Sequence, residues 1–138
     1  MAIDYNLPIV IHSRDSQKEI ISAIGEFNNP ELHGVFHCFT GNKQQAEEII
    51  NLGFMLGIGG VLTFKNSGLA QEIKDIDLKH LILETDSPYL TPAPHRGKRN
   101  ESAYIRLVAQ KLAETKDISI EQIAETTSEN AIKLFQIY

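Results

Sequence analysis

The chain has 138 residues and a formal net charge of −5, about one ordinary domain with enough length to bury a core. That acidic balance excludes a molecule whose whole surface is basic, so any polyanion has to be captured locally, by a metal or a basic loop. No apolar run approaches the ~20 residues of a membrane span, and the single cysteine, Cys38, excludes an internal disulfide.

The first residues carry no basic segment followed by an apolar one, so the expectation is no signal peptide, no membrane contact and a cytoplasmic location. Residues 1–6 read as the end of a helix, and Leu7-Pro8 opens a first strand that closes at His12. Ser16 with Glu19 predicts a capping box for a helix carrying Ile20, Ile21, Ile24 and Phe27 on one stripe. A second strand, Gly34-Val35-Phe36-His37, also ends in an imidazole. Asn42 with Gln45 predicts a cap for a helix that buries Ala46, Ile49 and Ile50, and Gly53 terminates it. Residues 54–60 form a glycine-rich third strand, and a short helix carries Leu69, Ala70 and Ile73.

Leu81, Ile82 and Leu83 begin a fourth strand, predicted to end near Pro88 because proline cannot donate to a ladder. Alternation along it puts Glu84 and Asp86 on one face. Residues 91–100 (TPAPHRGKRN) are a loop dense in proline and positive charge. A helix with Ile105, Val108, Ala109 and Leu112 in register follows. Ser119 with Gln122 caps another, and Thr126 with Glu129 begins a last one that buries Ala131, Ile132 and Phe135. The βα unit thus recurs four times at intervals of roughly twenty residues, which predicts an α/β protein with one parallel sheet and a single domain over residues 1–138.

His12, His37 and Asp86 each lie at the end of a predicted strand. In a parallel sheet those ends share one face, where α/β folds place their chemistry. Two imidazoles and a carboxylate suit a divalent ion such as Zn, Mn or Fe. Any one of them alone is an ordinary polar residue where a strand meets solvent; their recurrence in repeated units argues for a site. Arg14 supports a ligand from behind or is part of a plain surface turn with Asp15. Glu84 orients a ligand or is a hydrogen-bonded interior carboxylate. Cys38 is expected to point away from the face of His37, as a packed sulfur. Gly57, Gly59 and Gly60 allow close backbone approach but do not complete a dinucleotide fingerprint, which leaves tight packing. Arg96, Lys98 and Arg99 are expected over the site, where they suit a phosphodiester or form a solvated basic loop. His33, His80 and His95 read as surface or loop residues.

The segments PIVIHSRD, GVFHCFTG, LILETDSPYL, HRGKRNE and TTSENAIKLF, in this order, resemble the C-terminal half of TatD-type metal-dependent deoxyribonucleases. The resemblance runs over essentially the whole chain. It implies a TIM-type (β/α)8 barrel of which this chain is a half-barrel, its four strands being the fifth to eighth, followed by C-terminal helices. It also implies a site at the barrel mouth with one or two divalent ions (Mg, Mn or Zn), His12 and His37 as the later histidine ligands, and Asp86 as the ligand that helps generate the attacking hydroxide. DNA is then the substrate, its phosphodiester hydrolysed by a metal-activated water. The family's His-x-His pair and its fourth-strand glutamate have no counterpart in these residues. A (β/α)8 barrel typically needs ~250 residues, so the expectation is a truncated chain, or one completed by an N-terminal half-barrel partner or by a second copy. In a homodimer the Asp86 strand of one copy would lie beside the His12 strand of the other, with the partner's Asp86 standing where the family has its glutamate. The rival expectations are an inactive half-barrel that only assembles or binds, and a same-fold hydrolase acting on an amide or ester.

Overall fold

Four short apolar runs form one parallel sheet in a computed structural model that describes residues 1–137. The strands are β1 (Ile9–His12), β2 (Gly34–His37), β3 (Phe54–Ile58) and β4 (Leu81–Leu83). Their spatial order is β1-β2-β3-β4, every pair parallel. Each strand pairs with its sequence neighbour because a helix or helical turn between them returns the chain to the same end of the sheet. The helices are α1 (Gln17–Phe27), α2 (Lys43–Asn51), α3 (Leu69–Ile73), α4 (Ile105–Lys116) and α5 (Ile120–Phe135). This arrangement fits a TIM-barrel-type fold.

Register fixes which residues face the helices. Ile11, Phe36, Leu56 and Leu81 stand side by side across the sheet, and Phe36, Leu56 and Leu81 are buried in the main core with Ile49, Leu62, Ile73 and Leu112. The opposite face carries Val10 and Val35 as one pair, then His12 and His37 as the next pair on that face. Gly57, one residue past the Phe36–Leu56 pair, continues that second row, and Ile82 pairs with Gly57.

The core is lopsided. Val35 on β2 is 1% exposed, whereas its neighbour Val10 on β1 is 59% exposed. No residue of α1 is buried. Ile20, Ile21 and Ile24 only pack against the margin of the core. Phe27, expected on the buried stripe, is exposed because none of the described residues covers that side of α1. β1 is therefore an edge strand with an apolar residue, Val10, in the open, which a sheet of this kind normally avoids.

The Asn42 and Gln45 capping box forms as predicted: Asn42 Oδ1 accepts the Gln45 N–H at 2.9 Å and Gln45 Oε1 accepts the Asn42 N–H at 3.1 Å. The Ser16 and Glu19 box does not. Ser16 sits at ψ 15° rather than in the extended conformation of a capping residue, and its hydroxyl makes no capping bond. Residues 1–6 form a single 3-10 turn, Ile3–Tyr5, closed by Asn6 in the left-handed region. The third strand stops at Ile58, and Gly60–Thr63 is a 3-10 turn.

The two predicted C-terminal helices are one. Ser119 caps α5 by accepting the Gln122 N–H at 3.1 Å, but Thr126 starts nothing. Its neighbour Thr127 is buried and donates its hydroxyl to Ile123 O at 2.8 Å, so the helix runs through. The buried face is Ile123, Thr127 and Asn130, shifted from the one predicted, and Ile132 and Phe135 are exposed.

Asn130 explains the shift. Its side-chain amide donates to Leu78 O at 2.9 Å and to Leu81 O at 2.8 Å, joining α5 to the start of β4. Lys116 plays a similar part for α3. Its Nζ donates to the carbonyls of Ile73, Lys74 and Ile76, and burial lowers its pKa. Replacing Asn130 by alanine takes this donor from Leu81 O and leaves Leu78 O with the Leu81 N–H alone, a loss expected to cost about 2 kcal/mol. Urea unfolding of the variant against the parent should show it as a lower midpoint with an unchanged slope.

Candidate metal and hydrolytic site

The C-terminal ends of β1, β2 and β4 deliver the candidate side chains, and β3 leaves room between them at Gly57. His12 and His37 occupy paired positions of β1 and β2, and their rings lie 5.8 Å apart at an interplanar angle of 31°. β4 ends at Leu83, earlier than predicted, but the ladder continues for one bond because the Glu84 N–H donates to Ile58 O at 3.1 Å. That bond keeps Glu84 on the face of the histidines, one pleat beyond their row. Asp86 then stands in a turn closed by the Tyr89 N–H donating to Asp86 O, so the two acids meet one target from a strand tip and a turn.

That target is His37. Its Nδ1 lies 2.8 Å from Glu84 Oε1, and its Nε2 lies 3.5 Å from Asp86 Oδ1. An ionised carboxylate only accepts, so Nδ1 carries the hydrogen toward Glu84 and Nε2 is the nitrogen that faces Asp86. The same Glu84 oxygen accepts the Cys38 backbone N–H at 2.6 Å. Glu84 is thus a low-exposure carboxylate, 16% exposed, with donors already in place.

Gly57 makes room for it. A methyl group at Gly57 would stand 2.5 Å from Glu84 Oε2 and 2.9 Å from its carboxyl carbon. The glycine-rich third strand is therefore close packing, as its composition suggests, and what is packed is the carboxylate that orients His37.

A cavity of about 500 Å³ opens in front of these groups, lined among others by His12, Arg14, Asp15, Cys38, Thr40 and Asp86. Cys38 does not point away. It sits at φ 49°, so strand alternation stops at His37 and the side chain turns into the cavity. Burial, then the charges of Glu84 and Asp86, push its thiol up to about 11, so the sulfur keeps its proton at neutral pH and is no nucleophile. Arg14 borders the cavity at its exposed rim. Thr40 and Tyr89 also line it, and the sequence alone offers no repeated position that would single them out.

The basic loop lies elsewhere. Arg96, expected over the cavity, has its guanidinium drawn onto the Phe64 ring, 3.7 Å from the centroid, and donates to Thr91 O at 3.3 Å. Lys98 and Arg99 are exposed and are not among the residues that line the cavity. His33 and His95 are also away from it: His33 bonds the Glu31 carbonyl and His95 stacks on Tyr104.

The donor chemistry fits part of a divalent-cation site. Two ligands about 2.1 Å from a tetrahedral ion lie roughly 3.4 Å from each other, and the 3.5 Å between His37 Nε2 and Asp86 Oδ1 matches that edge while being long for a hydrogen bond. Glu84 supplies the hydrogen bond that metal-binding histidines use on their far nitrogen. Among the described residues, however, no three of His, Cys, Asp and Glu come together as a ligand set. The chain presents two adjacent donors with His12 nearby, not a closed cage.

A parallel α/β sheet with imidazoles and carboxylates gathered at its strand ends defines a TIM-barrel-type hydrolase architecture. The family profile described as TatD related DNase matches residues 1–136, and the chain belongs to that family. It is 44% identical over 138 residues to the Bacillus subtilis protein named uncharacterized metal-dependent hydrolase YabD, covering 99% of this chain and 54% of that one. It is 32% identical to the 3'-5' ssDNA/RNA exonuclease TatD of Pectobacterium carotovorum, covering 99% of this chain and 55% of the relative. The crystal structure of YJJV, a TatD homolog from Escherichia coli, superposes with a TM-score of 0.91 at 30% identity, over 99% of this chain and 53% of that chain. The chain spans about half the length of the curated relatives it matches.

If Glu84 fixes the tautomer of His37, then Gly57→Ala, which crowds Glu84, should release it. Nitrogen NMR of the His37 ring is expected to report an Nδ1–H form in the parent chain. In Gly57→Ala and in Glu84→Ala a mixture of tautomers is expected instead. An unchanged ring spectrum in both variants would remove Glu84 from this role.

Proposed function

We propose that this chain carries the later metal ligands of a divalent-metal-dependent hydrolase that cuts nucleic-acid phosphodiesters. The observation that carries the reading is the relay in which Glu84 holds His37 Nδ1 while His37 Nε2 faces Asp86 across 3.5 Å. His37 and Asp86 would hold the ion, with His12 as a further ligand and Arg14 at the rim. A divalent ion (Mg, Mn or Zn, one or two) supplies charge against the phosphate oxygens and acidifies a bound water. Asp86, 37% exposed and open to the cavity, is positioned to accept a proton from a water there. Glu84 would hold the His37 ring with Nε2 on the side of Asp86. DNA as the substrate is supported by the family's description and by the TatD relative named as an exonuclease of single-stranded DNA and RNA.

The test is metal binding and hydrolysis by one preparation. Calorimetric titration with Mn or Zn should give a binding isotherm, and His37→Ala should weaken it at least tenfold. Asp86→Asn should lower hydrolysis of a single-stranded oligonucleotide by about a hundredfold or more with the fold intact by circular dichroism. Binding of neither metal would overturn the reading.

The rest of the barrel is part of the same proposal. Val10 on β1 is open, as are Tyr5, Leu7 and Phe27, and a hollow of about 460 Å³ lined by Ile3, Ile20, Ile24 and Phe27 lies beside that edge. An apolar edge of this kind calls for further strands and helices, from an N-terminal half-barrel or from a second copy whose β4 meets β1. For self-closure, light scattering of the 138-residue chain at micromolar concentration should give a dimer. A well-folded monomer would exclude that form of closure and leave the N-terminal half. A second reading, a half-barrel that assembles or binds without catalysis, is favoured by the lack of a three-donor set among the described residues. The same titration separates the two.

A further inference from the structure

A second hollow, of about 510 Å³, lies beside the first and is lined among others by Thr63, Phe64, Lys65, Asn66, Ala93 and Arg96. Two cations border it and, among the described residues, no carboxylate does, in a chain whose net charge is −5. Its central feature is a stacked pair. The Arg96 guanidinium covers the Phe64 ring at 3.7 Å, and one of its nitrogens is tied to Thr91 O. A guanidinium has five N–H donors in a fixed fork. The aromatic face and a single carbonyl hold it in place while most of the fork stays free for an anion.

The hollow is built rather than incidental. Thr63 Oγ1 donates to Gly60 O at 2.7 Å and accepts the Ala93 N–H at 2.8 Å, which fastens the 60–63 turn to the segment after Leu90. The two segments touch so closely that a Cβ at Gly60 would collide with Leu90 O. Val61 and Leu90 line the cavity of the catalytic groups, and Thr63 and Ala93 line the second hollow. The two spaces are thus neighbours, separated by one residue of the first segment and two of the second. That is at most about 10 Å of chain, within reach of the next phosphate of a strand that enters the catalytic cavity.

We propose that this hollow is an accessory site for a phosphate of the nucleic-acid strand next to the one held at the catalytic cavity. Arg96 and Lys65 neutralise the phosphate, and the Phe64–Arg96 stack gives the strand its direction out of the cavity. The assignment rests on the phosphodiester reading above, and it turns the basic loop from a cover over the reacting bond into a grip on the strand beyond it. A polyanion is thereby captured locally on an acidic molecule.

The test compares a dinucleotide with an octanucleotide, both hydrolysis-resistant phosphorothioate oligothymidylates, by fluorescence anisotropy with Mn over a range of salt. In the double variant Lys65→Gln, Arg96→Gln the octanucleotide should bind about tenfold more weakly. Its dependence of log K on log salt should flatten by about 0.7 for each phosphate no longer neutralised, while dinucleotide binding changes less than twofold. Lys65→Gln alone, at an exposed side chain, should give part of the same length-dependent weakening, so misfolding of the double variant would not decide the outcome. Equal weakening of both lengths, or an unchanged octanucleotide slope, would overturn the accessory site and leave the catalytic reading standing. Failure of the parent chain to bind either oligonucleotide would overturn the phosphodiester reading, and the accessory site with it.

Discussion

One carboxylate organises the C-terminal end of the sheet. Glu84 accepts from the His37 ring and from the Cys38 backbone with the same oxygen. It can do so only because Gly57 has no side chain. A carboxylate at low exposure is costly unless its oxygens are matched by donors, and here the donors are the His37 ring and the backbone of the residue that follows it. The energetic need of the acid and the orientation of the imidazole are met by the same two bonds. Remove the acid and His37 can rotate or take its other tautomer. Remove the glycine and the acid has no seat.

The sheet brings these groups together without any local sequence cluster. His12, His37, Gly57 and Glu84 are spread over the chain and converge because neighbouring parallel strands are in register and point the same way. The same regularity accounts for the weakness at β1. A strand that would be covered on both faces inside a larger sheet stands at the margin here, with Val10 in the open while its partner Val35 is buried. The incomplete donor set and the uncovered apolar edge both match a chain that spans about half of its relatives' length.

Much of this is legible in the residues. Short apolar runs ending in His12 and His37 are readable because a buried parallel strand leaves little else to hide its signal. The Asn42 and Gln45 box announces α2, and Ser119 announces α5. What misleads is local chemistry that tertiary contacts override. Thr126 and Glu129 have the spacing of a cap, but a threonine hydroxyl can bond the carbonyl one turn back, as Thr127 does, and remain inside a helix. Alternation turns Cys38 away from the cavity on paper, yet it fails one residue after the strand ends, where the backbone is left-handed. Arg96 has no periodicity to fix its direction. Its position is decided by Phe64, a residue far earlier in the chain. The pairing of Asn130 with Leu78 and Leu81 is of the same kind, a long-range match invisible to any window of sequence.

The order of the strands also bears on how the molecule comes into being. Because each strand pairs with the one before it, a chain emerging from the ribosome can lay down the sheet one unit at a time, without waiting for a distant partner. His12 and His37 precede Glu84 and Asp86 in the order of synthesis. Through that interval the imidazole of His37 lacks both of its acids, and its tautomer is set by nothing. Orientation arrives late, with the fourth strand, and α5 secures that strand only after α4 and most of its own turns have been added.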